Sequence, residues 1–496
     1  MKKITRLLLL AAISIGMVAC SNDDVPQTPE SLRGSTYASI AVTLPKAPST
    51  RTLPDDYNKI GTWEGIDAIE TITVFLVNKT LGTIDHSTFN KDTFTGITGS
   101  GTLKPTLAVK ATPGESVKAY VVLNGESDVL DDLKAATPST FNTVYTTAFA
   151  KNASVLAKNE AGKDVIMMTN TELPTAANNG AITIKPNITK DKALEGTDNY
   201  IKVKVERVVS RAIATVKAGP HSIDVLDAMK TAGSGSIITI QSVNYVVGQS
   251  NKKFFLTKKA DWETPADVYG HVPSVDTWNP ELFDNTGLGV SAKVLVSNGA
   301  EDLKSDLTGT NPLLKEGTDS KFVLPVTHET GKYEKGNTTY FEVIAIFTPD
   351  KVDGGDYTAG ADVFLGMNDG KFYSKRADAE AEGQKATHYK GDGTTGAIMK
   401  YVLWLNPDVI PGTPDKKAKL SPTVRNQVYH AHITGFKQIG LPNNPLNPTD
   451  PEIPENPINP IKPEDPLQTD DTYLSVQITV VPWGIHSYEI NLGNDY

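Results

Sequence analysis

The chain has a single cysteine, Cys20, in 496 residues. No disulfide can form within it, so its stability does not come from a cross-linked scaffold. Beyond the first eighteen residues no apolar run is long enough to cross a bilayer. There is no basic block either: 48 Lys and Arg face 58 Asp and Glu, for a net charge of −10, which excludes nucleic acid as a partner. Arginine is scarce, with only Arg6, Arg33, Arg51, Arg207, Arg211, Arg376 and Arg425. The eight histidines are scattered. His430 and His432, in VYHAHI, would share one face of a strand as a candidate metal pair, but no third ligand stands nearby. Two histidines on the outer face of a strand is the simpler reading. Gly233-Ser234-Gly235 runs into a strand rather than a helix, so it is no dinucleotide fingerprint. The loop VDGGDYTAGAD lacks EF-hand spacing, and no carboxylate pair stands out as hydrolytic. The expectation is a chain with no cofactor, no metal and no enzymatic site.

What is present begins with Met1 to Ala19, a signal peptide. Lys2, Lys3 and Arg6 form its basic region, Leu7 to Val18 its apolar region, and Ala19 is the small residue before Cys20. A lone cysteine at that place reads as a lipidation site, as in bacterial lipoproteins. Met17 stands where a leucine is usual. Ser21 to Gly34 is a polar tether, followed by a strand at 37–44, YASIAVTL. Next comes PKAPSTRTLPDDYN, a stretch whose composition predicts an exposed, protease-sensitive loop. Arg51 sits in its middle. Cutting after Arg33 would leave the strand in place, whereas cutting between Arg51 and Thr52 would release both the lipid anchor and the strand.

The body reads as β. Ile69–Val77, Val117–Leu123, Val165–Thr169, Ala181–Ile184 and Tyr200–Val209 are expected strands of one sandwich. Ser127–Ala136, capped by Ser127, and Ser139–Ala150 are expected short helices. Ile213–Val216, Ile237–Val247, Lys293–Val296, Phe322–Val326, Tyr340–Phe347, Lys400–Leu405 and Val428–Phe436 are expected strands of a second, larger sandwich, with a helix at Ile223–Thr231. The expected divisions are a signal peptide over 1–19, a propeptide over 20–51, an N-terminal sandwich over 52–207, and a C-terminal sandwich over 208–441.

Residues 442–471 form an arm. Proline occurs at 442, 445, 448, 451, 454, 457, 460, 463 and 466, every third residue. Polyproline II has three residues per turn, so the prolines share one edge of a stiff rod. At ~3.1 Å per residue the run reaches about 75 Å, nearly twice the roughly 40 Å width expected for a domain of this chain. The rod leads into the C-terminal strands, 472–496. Leu474, Val476, Ile478 and Val480 alternate with Ser475, Gln477 and Thr479, the period of a strand with one buried face. Tyr473 to Val480 aligns with Tyr37 to Leu44 without a gap, and the inward residues Ala38, Ile40, Val42 and Leu44 fall opposite the four apolar ones. One strand could occupy the groove that the other fills, and a stiff arm suggests delivery to another molecule.

These residues together resemble the Bacteroidales fimbrillins, the type V pilus subunits, and most closely the shaft subunit of the short, Mfa-type fimbria. The most specific stretches are DTYLSVQITVVPWGIHSYEINL from Asp471 and VRNQVYHAHITGF from Val424. Weaker ones are YVLWLNP at Tyr401, KFVLPVTH at Lys321, VERVVSRA at Val205 and GTWEG at Gly61. The resemblance implies a mainly β protein of two β-sandwich (transthyretin-like, Greek-key) domains, with a proline-rich extended arm and a C-terminal donor strand. It further implies an outer-membrane lipoprotein precursor with lipid on Cys20, cut at Arg51–Thr52 by an arginine-specific surface protease. The C-terminal strand of one subunit would then fill the vacated groove of the next. Implied partners are other copies of the chain in a head-to-tail filament, accessory anchor and tip subunits, the protease and, before processing, the outer membrane. The long arm and complete last strand favour the shaft role, serving adhesion.

A reading of another class is a lipid-anchored surface protein that binds glycans on a β-sandwich. It would need exposed aromatic platforms, which five tryptophans leave open. It would need neither the arm, the strand match nor Arg51.

Overall fold

In the computed structural model the chain is mainly β. The structure describes residues 32–44, 68–97, 102–160, 163–175, 180–225, 235–265, 320–329, 332–381, 383–405 and 422–442, with the shorter pieces 283–284, 292–293, 295–297, 467, 474–482 and 490–491. The signal peptide, Cys20, Arg51, Thr52 and nearly all of the proline run lie outside them.

The first sheet contains β1 (Thr36–Thr43), β2 (Thr71–Asn78), β3 (Thr83–Asn90), β4 (Phe94–Ile97), β5 (Thr102–Pro105), β6 (Val109–Ala111), β7 (Gly114–Leu123), β8 (Met168–Asn170), β9 (Ala181–Ile184) and β10 (Tyr200–Arg207). Its order is β3-β2-β7-β8-β10-β1-β5-β4, with β9 on β7 and β6 on β1. β2, TITVFLVN, is almost continuously apolar because both its faces are covered. Ile72, Val74 and Leu76 enter the core that also holds β1, while Phe75 and Val77 enter a second core. Two short helices, α1 (Ser127–Ala135) and α2 (Phe141–Thr146), cover that second face with Val129, Leu133, Phe141 and Tyr145.

Two further sheets follow. They are built from β11 (Ser210–Lys217), β12 (Ser222–Asp224), β13 (Ile237–Gly248), β14 (Leu295–Ser297), β15 (Lys321–Val323), β16 (Tyr340–Pro349), β17 (Ala397–Trp404), β18 (Gln427–Phe436), β19 (Leu474–Pro482) and β20 (Ile490–Asn491). One runs β14-β11-β18-β19-β20, with β15 on β11, and the other β12-β13-β16-β17. They share a core in which Ala214, Tyr429 and Ile433 meet Tyr245, Phe341 and Met399. That is the interdigitation of two packed sheets.

The structure shifts several expected elements. The nearly continuous run Tyr200–Val209 breaks after Arg207, and a new strand begins at Ser210. Between them the Val208 amide donates to the Met167 carbonyl at 3.1 Å and the Val209 carbonyl accepts from the Asn426 amide at 2.9 Å. Both valines are buried, so no polar residue announces the step between sheets. The expected Val165–Thr169 strand is likewise divided at the buried Met167. α1 is capped by Glu126, whose carboxylate accepts from the Val129 amide at 3.2 Å, rather than by Ser127. The expected Ser139–Ala150 helix is only Phe141–Thr146, because Ala148–Ala150 pairs as a strand with Lys253–Phe255, Phe149 beside Phe254. At the expected Ile223–Thr231 helix, Ser222–Asp224 is a strand, and 226–234 lie outside the described residues.

Candidate functional site

β1 is held along both edges. Ser39 to Thr43 pair in parallel with Tyr200 to Lys204, in the register Ile40 to Ile201 and Val42 to Val203. On the other edge Thr36 to Ala38 pair antiparallel with Ala111 to Val109, and Val42 and Thr43 with Leu103 and Thr102. Ala38, Ile40 and Val42 are at most 1% exposed in the core with Val74, Val121 and Val203. Leu44, just past the strand, packs against the same core. The other face is closed as well: Ser39 and Ala41 are also buried, so the expected exposed face is covered, and only small side chains fit there. A strand lost from this place would leave two rows of unpaired backbone groups and an open core.

One polar node fixes where β1 begins. The buried Thr36 hydroxyl donates to the Lys185 carbonyl at 2.9 Å and accepts from the Ile188 amide at 3.0 Å. Asn199, in the left-handed region at φ 49, closes the node. Its Nδ2 donates to the Tyr37 carbonyl at 2.9 Å and its Oδ1 accepts from the Lys185 amide at 2.7 Å. The Asn199 carbonyl accepts from the Ser39 amide at 3.0 Å. Asparagine tolerates that backbone conformation, and its side chain reads the chain beside it. The alternation in 37–44 does not reveal this node, because Thr36 precedes the apolar pattern.

The last strand has a place in its own subunit. β19 pairs antiparallel with β18 along its whole length, from Phe436 opposite Leu474 to Gln427 opposite Pro482. Among the described residues its other edge meets the two residues of β20. Leu474, Val476, Ile478 and Val480 are thus brought beside β18, not beside the groove of β1. On its far side β18 pairs in parallel with β11.

The arm also begins and ends on its own subunit. Leu441 exchanges two backbone hydrogen bonds with Lys400, at 2.7 and 2.9 Å. Past the prolines, Leu467 is fully buried among Tyr333, Tyr340 and Trp404, and its amide donates to the Tyr333 carbonyl at 3.2 Å. Lys400 pairs with Ile344 and Trp404 with Tyr340, so both attachments lie on adjacent strands of one sheet.

Buried ion pairs surround the step from β10 to β11, one from Arg425 to Glu206 of the first sheet and one from Arg211 to Asp164 on the two-stranded pair 157–160 and 163–166. Arg211 of β11 donates to Asp164 at 3.0 Å, with both side chains fully buried. Arg425 meets Glu206 at 2.9 Å and donates to Thr169 Oγ1 and the carbonyls of Phe255 and Leu256. Burial pulls the Arg425 pKa down, against the opposing charge of Glu206. The stretches VERVVSRA and VRNQVYHAHITGF supply Glu206, Arg211 and Arg425 of this junction.

Elsewhere the structure gives little chemistry. His432 is not on an outer face: it is 1% exposed, with Nδ1 2.8 Å from the Thr215 hydroxyl. It stands beside Thr215 of β11, the parallel neighbour of β18. No group of three metal-ligating side chains occurs among the described residues. Of the tryptophans described, Trp404 is buried and Trp262 is half-buried with Lys258 Nζ 4.6 Å above its ring. Neither forms an exposed platform.

Residues 394–489 match the family model described as major fimbrial subunit protein type IV, fimbrillin, C-terminal. This span takes in β17, β18, the arm and β19. The minor fimbrium subunit Mfa1 of Porphyromonas gingivalis is 28% identical over 529 aligned positions, which cover 98% of this chain and 99% of that protein. The solved fimbrillin FimA of the same organism matches at 15% identity and a TM-score of 0.44, over 91% of this chain and 98% of that one. The tip fimbrial protein Mfa3, also from Porphyromonas gingivalis, matches at 11% identity and a TM-score of 0.33, over 80% and 95%. Residues 394–489 thus match the fimbrillin C-terminal region, and over nearly its whole length the chain is similar to the Mfa1 fimbrium subunit.

Proposed function

We propose that the chain is a shaft-forming subunit, exported as a lipoprotein through Cys20, cut between Arg51 and Thr52, and polymerised by strand exchange. The observation that carries this reading is the environment of β1. It is paired on both edges and buried on both faces, yet it precedes Arg51 in sequence. A cut at Arg51 severs it from the body and makes its loss open the core. The segment that matches it, Tyr473 to Val480, is the one carried by the arm.

The energetics support exchange. Burying Leu474, Val476, Ile478 and Val480 in the vacated groove contributes about 1.5–3 kcal/mol each, roughly 6–12 kcal/mol before ordering costs. Leaving its own sheet costs β19 nine paired positions with β18 and two with β20, while the groove offers the ten at which β1 is paired. Backbone pairing therefore roughly cancels, and closure of the open core sets the direction. The contact is head-to-tail, so repetition gives an open filament. Gln477 is larger than Ala41, so the cover over that face must shift when the donor enters.

The remaining partners follow from the same scheme. They are further copies of the chain, an anchor and a tip subunit at the filament ends, an arginine-specific surface protease, and the outer membrane before processing. A solved relative is named as a tip fimbrial protein, which fits a fimbria built from several kinds of subunit. The fimbria stands on the cell surface and serves adhesion. The test is electron microscopy of purified precursor before and after limited trypsin treatment, with N-terminal sequencing. Filaments whose subunits begin at Thr52 are expected. Filaments beginning at Gly34, which would retain β1, contradict the scheme.

A further inference from the structure

We infer that Thr472 is the register-setting residue of the donor strand, and that its hydroxyl takes over the buried node that Thr36 occupies. This inference rests on the strand-exchange reading above and makes it more specific.

The gapless match extends one residue before Tyr37, because Thr36 and Thr472 each precede the matching tyrosine. Backbone pairing carries little register information of its own. The Asn199 Nδ2, the Ile188 carbonyl and the Asn199 carbonyl each bond a backbone group of the strand, the Tyr37 carbonyl, the Tyr37 amide and the Ser39 amide, with longer contacts from the first two to the Thr36 hydroxyl. A strand shifted by two residues would offer the same groups and the same face. The Thr36 hydroxyl differs, since it both donates to Lys185 and accepts from Ile188. The Thr36 hydroxyl is the acceptor of the Ile188 amide, and Thr36 is fully buried. When β1 leaves, the Lys185 carbonyl keeps the Asn199 Nδ2 as donor, while the Ile188 amide loses its Thr36 acceptor and needs a hydroxyl at one point only. A Thr-Tyr pair is not enough by itself, because Thr339-Tyr340 is already placed in β16, with the Thr339 hydroxyl on the Gln249 carbonyl at 2.9 Å. In the donor, Thr472 at the node would put Val476 opposite Ile201 and Ile478 opposite Val203 of the receiving copy. A slip by two would place the charged Asp470 or the apolar Leu474 at the node, neither of which supplies a hydroxyl.

The test uses full-length precursor, processed in vitro, as wild type, Thr472→Ser, Thr472→Val and Ile478→Asp. Polymerisation is followed together with amide hydrogen exchange at Ile188. Thr472→Ser should assemble like wild type, with the Ile188 amide protected in the filament as in the precursor. Thr472→Val keeps the shape and loses the hydroxyl. It should assemble about tenfold less well, as expected when a buried donor loses its acceptor, and its filaments should show faster exchange at Ile188. Thr36→Val in the unprocessed precursor should show the same faster exchange, which ties the readout to the node rather than to the filament. If Thr472→Val assembles and protects Ile188 like wild type while Ile478→Asp stays monomeric, the register role of Thr472 is wrong and strand exchange stands. If Ile478→Asp assembles normally, strand exchange falls and the role of Thr472 with it.

Discussion

The amide of Leu467 donates to the carbonyl of Tyr333 at 3.2 Å, and its side chain is buried in an aromatic socket on its own subunit. This contact ends the proline run against the sheet where Leu441 began it. For the arm to reach a second molecule, Leu467 must leave the socket. Leu467→Ala should weaken the attachment by about 2–5 kcal/mol. The expected outcome is faster proteolysis within 442–471 and faster polymerisation after processing, with little change in the melting of the sandwich cores. Light scattering after a protease pulse measures this, and an unchanged rate would show that arm release does not limit assembly.

The start of β11 should be held firmly because its charge is enclosed with that of Asp164. Arg211→Leu would leave Asp164 buried without its cation, at a cost of about 3–5 kcal/mol. Replacing both, as Asp164→Leu with Arg211→Leu, should recover much of that loss. Chemical denaturation of the two variants and the wild-type subunit measures the difference. Equal loss in the single and double variants would assign the effect to packing rather than to the unpaired carboxylate.

His328 gives the socket a pH dependence. Burial pushes its pKa down to about 4, despite the hydrogen bond from Nε2 to the Asn337 carbonyl. Its ring stands edge-on to Tyr333 at 5.0 Å. A histidine whose folded pKa lies below its unfolded value of about 6.5 stabilises the fold fully above that value. The contribution is lost as pH falls from about 6.5 towards 4, by up to about 3 kcal/mol. The melting temperature of the subunit should therefore decline over this range, and His328→Gln should flatten the decline. A decline of the same size in His328→Gln would assign it to other groups.

The sequence shows the strands better than it shows their neighbours. The alternation in 37–44 places Ala38, Ile40 and Val42 in the core, where they are found. The same alternation predicts exposure for Ser39 and Ala41, which are covered, because period two reports side-chain direction and not what lies on the far side. The boundary at Val208–Val209 is hidden for a related reason: residues that step between two cores are as apolar as residues within one. His432 reads as a surface histidine in sequence, yet it is buried beside Thr215 of the parallel neighbour β11. Thr36 and Asn199 are far apart in sequence and single polar residues, so no pattern announces their node. The match of 473–480 to 37–44 was legible from sequence alone, but the place of β19 beside β18 was not, since a strand's pattern does not choose between two partners.

The most direct test of strand exchange is a cysteine cross-link. The processed chain would have no native cysteine, because Cys20 precedes Arg51. In the β1 register Thr43 stands opposite Lys204, and Thr479 matches Thr43. In its own sheet Thr479 stands opposite His430. Paired strand positions lie within disulfide range. Thr479→Cys with Lys204→Cys should, after processing, assembly and oxidation, give a ladder of covalent multimers on a non-reducing denaturing gel. Thr479→Cys with His430→Cys should instead link within the unprocessed monomer, and that link should block assembly. Assembled filaments in which cysteines at 479 and 430 remain linked within each chain, with no ladder from the pair at 479 and 204, would contradict the account.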